Sequence, residues 1–208
     1  MAKAPIPGFT KTRLRLPPAT AARLQKALIS DTVDKAQITA PVTIAGTPPD
    51  HLYLIAPLIP DDVQLIPQPE GDLGERMFAG AKHLFDRAPG PVVILGTDAP
   101  TLPPEYIEEA ISALYNHDLS IIPSVDGGYV LIGQKEVHEA IFTGIDWSTE
   151  KVHGQTLAQA QASGLSVFQT DPWYDVDSPE DLPRLRNDLD TNPTLAPRTA
   201  VLLRDLIA

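Results

Sequence analysis

The chain contains no cysteine among its 208 residues. Disulfide bonds and thiolate metal sites are therefore excluded, and a bound metal would need oxygen or imidazole ligands. The sequence also lacks an apolar run near the roughly 20 residues of a membrane-spanning helix, and it has no charged-then-apolar leader. We therefore expect a cytoplasmic protein that does not insert into a membrane.

Acidic residues are missing from residues 1–30, although the chain as a whole is acidic. This segment holds six basic residues and none of the 27 acidic ones. The formal net charge of -11 argues against a general affinity for nucleic acid. A basic segment on an acidic protein is suited to a small anionic ligand rather than to a polyanion.

Alternating strand and helix patterns predict one α/β domain over residues 1–208, with a mostly parallel central sheet between layers of helices. The apolar spacing predicts helices at about 19–36, 50–58, 74–87, 104–116, 136–142, 149–163 and 179–189. Short apolar runs predict strands at 41–45, 63–66, 91–96, 119–123, 129–133 and 165–169. Strand 129–133 follows a Gly-Gly turn and is a candidate for the antiparallel direction.

Asp98 follows the apolar strand predicted at 91–96. Ligands of open α/β sheets bind at the carboxyl ends of the strands, so this carboxylate is placed to hold a metal ion or a sugar hydroxyl. The alternative is that Asp98 caps the next helix. Pro103 and Pro104 move that helix start downstream, which favours the functional interpretation.

Asp175 and Asp177 form a second acidic group after the last predicted strand. Two carboxylates one residue apart point the same way from an extended chain. They could close on Asp98 and provide the oxygen ligation that Mg2+ or Mn2+ prefers. The alternative is helix capping, which Ser178 could supply alone.

Residues 4–13 combine prolines, one glycine, hydroxyls and flanking cations. Such a loop can offer backbone N–H groups and positive charge to a diphosphate, although it lacks the spacing of a P-loop and a solvated basic loop is the alternative. Three further stretches have simple structural interpretations. Residues 71–76 are most simply a loop with a helix cap, and residues 126–129 a hairpin turn. Residues 147–149 are most simply a buried indole followed by a helix cap.

Taken together, these stretches resemble the DUF2064 proteins, which are bacterial glycosyltransferase-like proteins related to the nucleotidyltransferases that make 2-phospholactate guanylyl esters. The resemblance runs from residue 3 to about residue 203. It implies an α/β GT-A fold of the nucleotide-diphospho-sugar transferase type, a three-layer sandwich. It also implies a cofactor, Mg2+ or Mn2+, bound by Asp98 and by Asp177 or Asp175.

The same resemblance implies further site residues. Nucleotide contacts are expected from Lys3, Pro7, Gly8, Lys11, Arg13, Asp72, Gly74 and Arg76. Acceptor contacts are expected from Gly127, Gly128, Tyr129 and Trp147. Asp98 and Asp126 are the candidate catalytic residues, with Asp126 as the base if an acceptor hydroxyl must lose its proton.

The implied activity is metal-dependent transfer from an activated nucleotide. Glycosyl transfer from a nucleoside diphosphate sugar to a small-molecule acceptor is the first expectation. The alternatives are nucleotidyl transfer from a nucleoside triphosphate to a phosphorylated or carboxylated small molecule, and nucleotide binding without turnover. In each case the partners are small molecules, with no nucleic acid and no membrane.

An apolar first strand is the element of the family pattern that we do not find, because only Met1 and Ala2 precede Lys3. The strands predicted at 41–45 and 91–96 would be the neighbours of this missing strand. They would then either lie about 9 to 10 Å apart, with an open slot between them, or close up and pair directly. We expect the open slot, and with it a native polypeptide that starts upstream.

Overall fold

The computed structural model describes residues 1–205, which divide into two compact units. The first unit consists of Met1–Pro67, Thr97–Pro104 and the chain from Asp175 onward. The second unit consists of Gln68–Gly96 and Glu105–Tyr174. The prediction of a single domain over the whole chain stays a prediction.

Strands and helices alternate along the chain, as the sequence pattern predicts. They are β1 (Ala2–Lys3), α1 (Pro18–Thr39), β2 (Thr43–Thr47), β3 (Gln64–Pro67), α2 (Leu73–Phe85), β4 (Val92–Leu95), α3 (Pro104–Ala113), β5 (Leu119–Pro123), β6 (Tyr129–Gln134), α4 (Val152–Ala162), β7 (Val167–Gln169), α5 (Leu182–Thr191) and α6 (Pro197–Asp205). Short 3-10 helices cover Thr12–Leu14, Pro49–Leu54, Ala56–Leu58, Ala140–Phe142, Pro179–Asp181 and Pro193–Leu195.

The sheet of the first unit is entirely parallel, with the strand order β1-β2-β3. Thr43 of β2 lies opposite Gln64 of β3. On the other side of β2, Ala2 and Lys3 lie opposite Gly46 and Thr47. The expectation that β2 would lack a first-strand neighbour is therefore corrected, because two extended residues are enough to pair its carboxyl end. Direct pairing of β2 with β4 is not among the ladders of residues 1–205.

Helix α1 is the central helix of the first unit. Pro17 and Pro18 set its start, where a missing N–H costs nothing. Ile29 and Val33 from α1 pack with Ile44 of β2 in one buried cluster. Polar residues of α1 are buried as well, so this helix is covered on more than one face.

Helix α6 is held to α1 by the buried carboxylate of Asp31. Its Oδ2 accepts hydrogen bonds of 2.8 Å from both the backbone N–H and the hydroxyl of Thr199 in the first turn of α6. Arg198 adds a backbone N–H bond of 3.1 Å to Asp31 Oδ1. The Asp31 carboxylate therefore accepts hydrogen bonds from N–H groups that the start of a helix leaves without partners.

The sheet of the second unit has the order β4-β6-β5-β7. Strand β6 runs antiparallel to both of its neighbours, as the Gly-Gly turn predicts, while β5 and β7 are parallel. All five residues of β5 are buried, including Ser120 in an otherwise apolar sequence. Strand β4 ends at Leu95, three residues before Asp98.

The helices predicted at 50–58 and 136–142 are wrong as α-helices. The first becomes two 3-10 helices separated at Ile55, with a proline near the start of each. Of the second, only Ala140–Phe142 is helical, because Ile141 and Phe142 are its buried residues and do not form a long apolar stripe. Among residues 1–205, no helix is both long enough and apolar enough to cross a bilayer.

Candidate functional site

Three charged side chains from distant parts of the sequence meet in the first unit. Lys11 Nζ lies 2.9 Å from Asp98 Oδ1 and 3.0 Å from Asp177 Oδ1. The same nitrogen donates a hydrogen bond of 2.7 Å to the backbone carbonyl oxygen of Val176. We call Lys11, Asp98, Asp177 and the Val176 carbonyl the carboxylate cluster.

Backbone contacts bring the two aspartates of the cluster together. The N–H of Val176 donates to the carbonyl of Asp98 over 2.8 Å, which joins the segment after β4 to the segment after β7. Asp181 Oδ2 accepts from the backbone N–H groups of Asp177 at 3.0 Å and Ser178 at 2.7 Å. Because Ser178 and Asp181 form the capping box, the carboxylate of Asp177 is not needed as a helix cap.

The Lys11 side chain is buried, with 5% of its surface exposed. Its backbone is left-handed, with φ of 49°, an uncommon conformation for a residue other than glycine. Burial alone lowers the pKa of this ammonium, but the charges of Asp98 and Asp177, with hydrogen bonds to both, raise the pKa above its usual value. The cluster therefore contains one positive and two negative charges.

The carboxylates of the cluster are accessible, since 42% of each aspartate side chain is exposed. Their Oδ1 atoms approach the same nitrogen, so they lie less than about 6 Å apart. The prediction that Asp98 and Asp177 are close enough to share one cation is confirmed, while metal binding itself stays a prediction.

The oxygen atoms of the carboxylate cluster suit a metal ion that also binds phosphate groups of a substrate. Within residues 1–205, no group of three or more His, Cys, Asp or Glu side chains could hold a metal. Two carboxylates and a carbonyl fit Mg2+ or Mn2+, which are commonly held by one or two carboxylates together with substrate phosphates. Asp175, two residues before Asp177, is half-buried.

The basic loop of residues 4–13 presents an exposed surface next to Lys11. Lys3, Pro7 and Gly8 are exposed, as is Arg13. A Cβ atom at Gly8 would meet nothing within 4 Å, although its φ of 81° favours glycine. The sequence prediction for Pro7 and Gly8 thus corresponds to open loop surface.

Two buried polar residues of α1 support this loop and the Asp98 segment, and sequence reasoning missed both. Gln25 Nε2 donates to the carbonyl of Lys3 at 3.3 Å and reaches Thr97 Oγ1 at 3.4 Å. Lys35 Nζ donates to the carbonyls of Pro100 and Leu102. Polar residues within an otherwise buried helical segment were the available signal, since such groups need partners.

Asp72, Gly74 and Arg76 lie in the second unit, at the start of α2. Asp72 is the N-cap and forms a capping box with Glu75. A Cβ atom at Gly74 would come within 2.6 Å of both Phe142 O and the Trp147 ring. Arg76 Nε donates to Asp72 O over 3.1 Å. These contacts give each of the three residues a structural role.

Asp126, Gly127, Gly128 and Tyr129 form the turn into β6. Asp126 Oδ1 accepts from the Gly128 N–H at 2.9 Å, as in an Asx turn. Gly127 has φ of 93°, and a Cβ atom there would overlap the backbone of Glu150. Burial raises the pKa of Tyr129, whose hydroxyl oxygen is buried. The Asp126 carboxylate is exposed.

Comparison with solved structures places the fold in one class. A protein from Desulfovibrio desulfuricans G20, provisionally named a nucleotide-diphospho-sugar transferase, is 31% identical with a TM-score of 0.91, over 98% of this chain and 91% of that chain. The chain therefore has the α/β fold of the nucleotide-diphospho-sugar transferase type. The sequence profile of DUF2064, described as "Uncharacterized protein conserved in bacteria", matches residues 29–149. The chain belongs to the DUF2064 family.

More distant structures share the fold alone. CMP:2-keto-3-deoxy-manno-octonic acid synthetase complexed with CTP is 10% identical with a TM-score of 0.56, over 79% of this chain and 88% of that chain. A cytidylyltransferase from Leptospira borgpetersenii serovar Hardjo-bovis (strain JB197) is 12% identical with a TM-score of 0.52, over 81% and 85%. No curated protein matches the chain.

Proposed function

We propose that the protein is a metal-dependent transferase that takes an activated nucleotide as donor, with glycosyl transfer from a nucleoside diphosphate sugar to a small-molecule acceptor as its reaction. The carboxylate cluster carries this proposal. It gathers two exposed carboxylates less than about 6 Å apart, in the unit that also contains the basic loop. The name of the 31% identical relative supports the choice of donor.

The proposed cation is Mg2+ or Mn2+, held by Asp98 and Asp177, with Asp175 as the less favoured ligand. A bound divalent cation would neutralise the negative charge that develops on the departing phosphates. Arg13, exposed on the basic loop, and Lys3, exposed at the end of β1, would contribute further positive charge to phosphate oxygens. Water exclusion and acceptor orientation would then depend on side chains outside the cluster.

The remaining assignments are predictions carried by the resemblance. Asp72, Gly74 and Arg76 are predicted nucleotide contacts, and Gly127, Gly128, Tyr129 and Trp147 are predicted acceptor contacts. Asp126 remains the candidate base, and its exposed carboxylate is compatible with proton transfer.

A screen of donors with and without Mn2+ tests this function. Nucleoside diphosphate sugars and nucleoside triphosphates are first ranked by the rise in Tm that they produce, because a ligand of the folded state stabilises it. The best donors are then incubated with candidate acceptors, and release of nucleoside diphosphate is measured. We expect release that requires the divalent cation and disappears in Asp98→Asn.

Nucleotidyl transfer is the second candidate function, since the two distant structures that share the fold are named as a CMP-sugar synthetase and a cytidylyltransferase. Attack on the α-phosphate of a triphosphate releases pyrophosphate, whereas glycosyl transfer releases nucleoside diphosphate. A pyrophosphate assay across triphosphates therefore separates the two reactions. Stabilisation by nucleotide without metal-dependent product would instead indicate a binding protein.

A further inference from the structure

The ammonium of Lys11 occupies the space between the oxygens that the proposed function assigns to a metal. We infer that Lys11 and a divalent cation compete for Asp98, Asp177 and the Val176 carbonyl, so that Lys11 leaves the carboxylates when the cation binds. This inference rests on the proposed function, because it concerns the same carboxylates. The inference adds that the lysine ammonium and the metal ion exchange at one position.

The hydrogen bonds of Lys11 account for all of its protons. An ammonium has three N–H donors, and Nζ has three oxygen neighbours at 2.7, 2.9 and 3.0 Å. In this arrangement no N–H remains for a phosphate oxygen. Lys11 therefore cannot hold the carboxylates and contact a nucleotide phosphate at the same time.

The two cations would compete for the same oxygens. Mg2+ binds oxygen at about 2.0 to 2.1 Å. A metal ion held by Asp98, Asp177 and the Val176 carbonyl would use the three oxygens that now surround Nζ at 2.7 to 3.0 Å. Binding of the metal therefore requires the lysine to move.

Charge favours the exchange. One ammonium between two carboxylates leaves a net charge of about -1, whereas a divalent cation would neutralise both. The 42% exposure of each aspartate side chain gives a hydrated cation access without unfolding the unit. The released ammonium would lie beside the exposed basic loop, available to phosphate. Metal binding would thereby prepare the nucleotide contact predicted for Lys11.

Lys11→Met tests the competition, because Met keeps most of the stem and removes the charge. Mn2+ binding is measured without nucleotide by electron paramagnetic resonance of the free ion. We expect Lys11→Met to bind Mn2+ at least tenfold more tightly than the unsubstituted protein. Arg15→Met is the matched control, since Arg15 is an exposed cation of the same basic segment, also with a left-handed backbone. Its Mn2+ affinity should stay within about twofold.

A second measurement uses the unsubstituted protein and does not depend on how a variant folds. Lysines are acetylated briefly with and without Mn2+, and each site is quantified by mass spectrometry. We expect labelling of Lys11, now 5% exposed, to rise severalfold with Mn2+, while exposed Lys26 is unchanged. Unchanged Lys11 labelling under saturating Mn2+ would overturn the inference.

The outcomes separate this inference from the proposed function. Equal or weaker Mn2+ binding by folded Lys11→Met overturns the exchange, even if metal-dependent product forms. Absence of Mn2+ binding in both proteins also overturns it. Tighter binding by Lys11→Met together with increased Lys11 labelling supports the exchange, even if no donor is ever turned over.

Discussion

The two units explain their sequence motifs in different ways. In the second unit, Asp72 caps a helix, Asp126 closes a turn and Gly127 fits against the backbone of Glu150. In the first unit, Asp98 and Asp177 hold a lysine that is distant from both in the sequence. Local contacts therefore explain the motifs of the second unit, whereas the two carboxylates of the first unit meet at a lysine from a distant part of the sequence.

This difference bears on which charged residues are functional. A buried lysine paired with two partly exposed aspartates leaves an excess negative charge at the cluster. Charged groups whose pKa is shifted by close partners cluster at functional sites, and Lys11 is such a group. The following predictions test the contrast between the units, beginning with loss of the response to metal and continuing with changes in stability.

Asp98→Asn should abolish metal-dependent ligand stabilisation while leaving the fold intact. The substitution removes one charge at nearly constant volume, and Lys11 keeps Asp177 as its partner. We expect Mn2+ affinity to fall at least tenfold, about 1.4 kcal/mol, as measured by a thermal-shift titration. Asp126→Asn makes the same change in the second unit and should retain the response to Mn2+. Loss of the response in both variants would contradict the contrast.

Gly127→Ala should destabilise the protein by more than 2 kcal/mol. The alanine would have φ of 93° and would overlap the Glu150 backbone. Gly164→Ala is the control, because Gly164 has φ of 70° but open space around it, and a cost of roughly 1 kcal/mol is expected. Urea unfolding followed by circular dichroism gives both free energies. Equal losses would show that the Glu150 contact is unimportant.

Lys35→Met should cost about 2 to 4 kcal/mol of unfolding free energy. The change keeps the apolar stem but leaves the carbonyls of Pro100 and Leu102 without their ammonium donor. Lys26→Met, on an exposed part of the same helix, should change stability by less than about 0.5 kcal/mol. Similar melting temperatures for the two variants would indicate that Lys35 does not tether the segment that carries Asp98.

Tyr129→Phe should change only the alkaline part of the stability profile. Burial raises the pKa of Tyr129 in the folded protein, so the unfolded chain loses this proton first. The contribution is complete below the unfolded pKa near 10, and it falls by up to about 1.4 kcal/mol per pH unit above it. Tm measured from pH 8 to 11 should decline less steeply for the variant. Parallel profiles would contradict a protonated buried phenol.

The sequence predicts the two carboxylates because each obeys a local rule. Asp98 follows a short apolar run with the length of a buried strand, and Asp177 precedes a serine that supplies the helix cap. The sequence does not predict that Lys11 lies between them. That placement depends on a left-handed backbone at Lys11 and on contacts with residues more than 160 positions away.

Local rules also fail where polar residues are buried. Gln25 and Lys35 interrupt the apolar spacing of α1, yet both point at backbone carbonyls of other segments. Apolar periodicity marks one face of a helix, whereas α1 is covered on more than one face. Similarly, α6 depends on capping by the carboxylate of Asp31, and the sequence around residue 197 gives no sign of that partner.

The first unit is built from separated segments of the chain, and this affects the order in which its contacts can form during synthesis. A ribosome releases the chain from its amino end, at about 5 to 20 residues per second. Every strand of the second unit has been synthesised once Gln169 is made, whereas Lys11 must wait for Val176 and Asp177, 165 and 166 residues after it. Until then the nascent chain exposes a basic amino-terminal segment whose acidic partners are incomplete. The carboxylate cluster is therefore among the later contacts to form during synthesis, and it closes a loop of 165 to 166 residues.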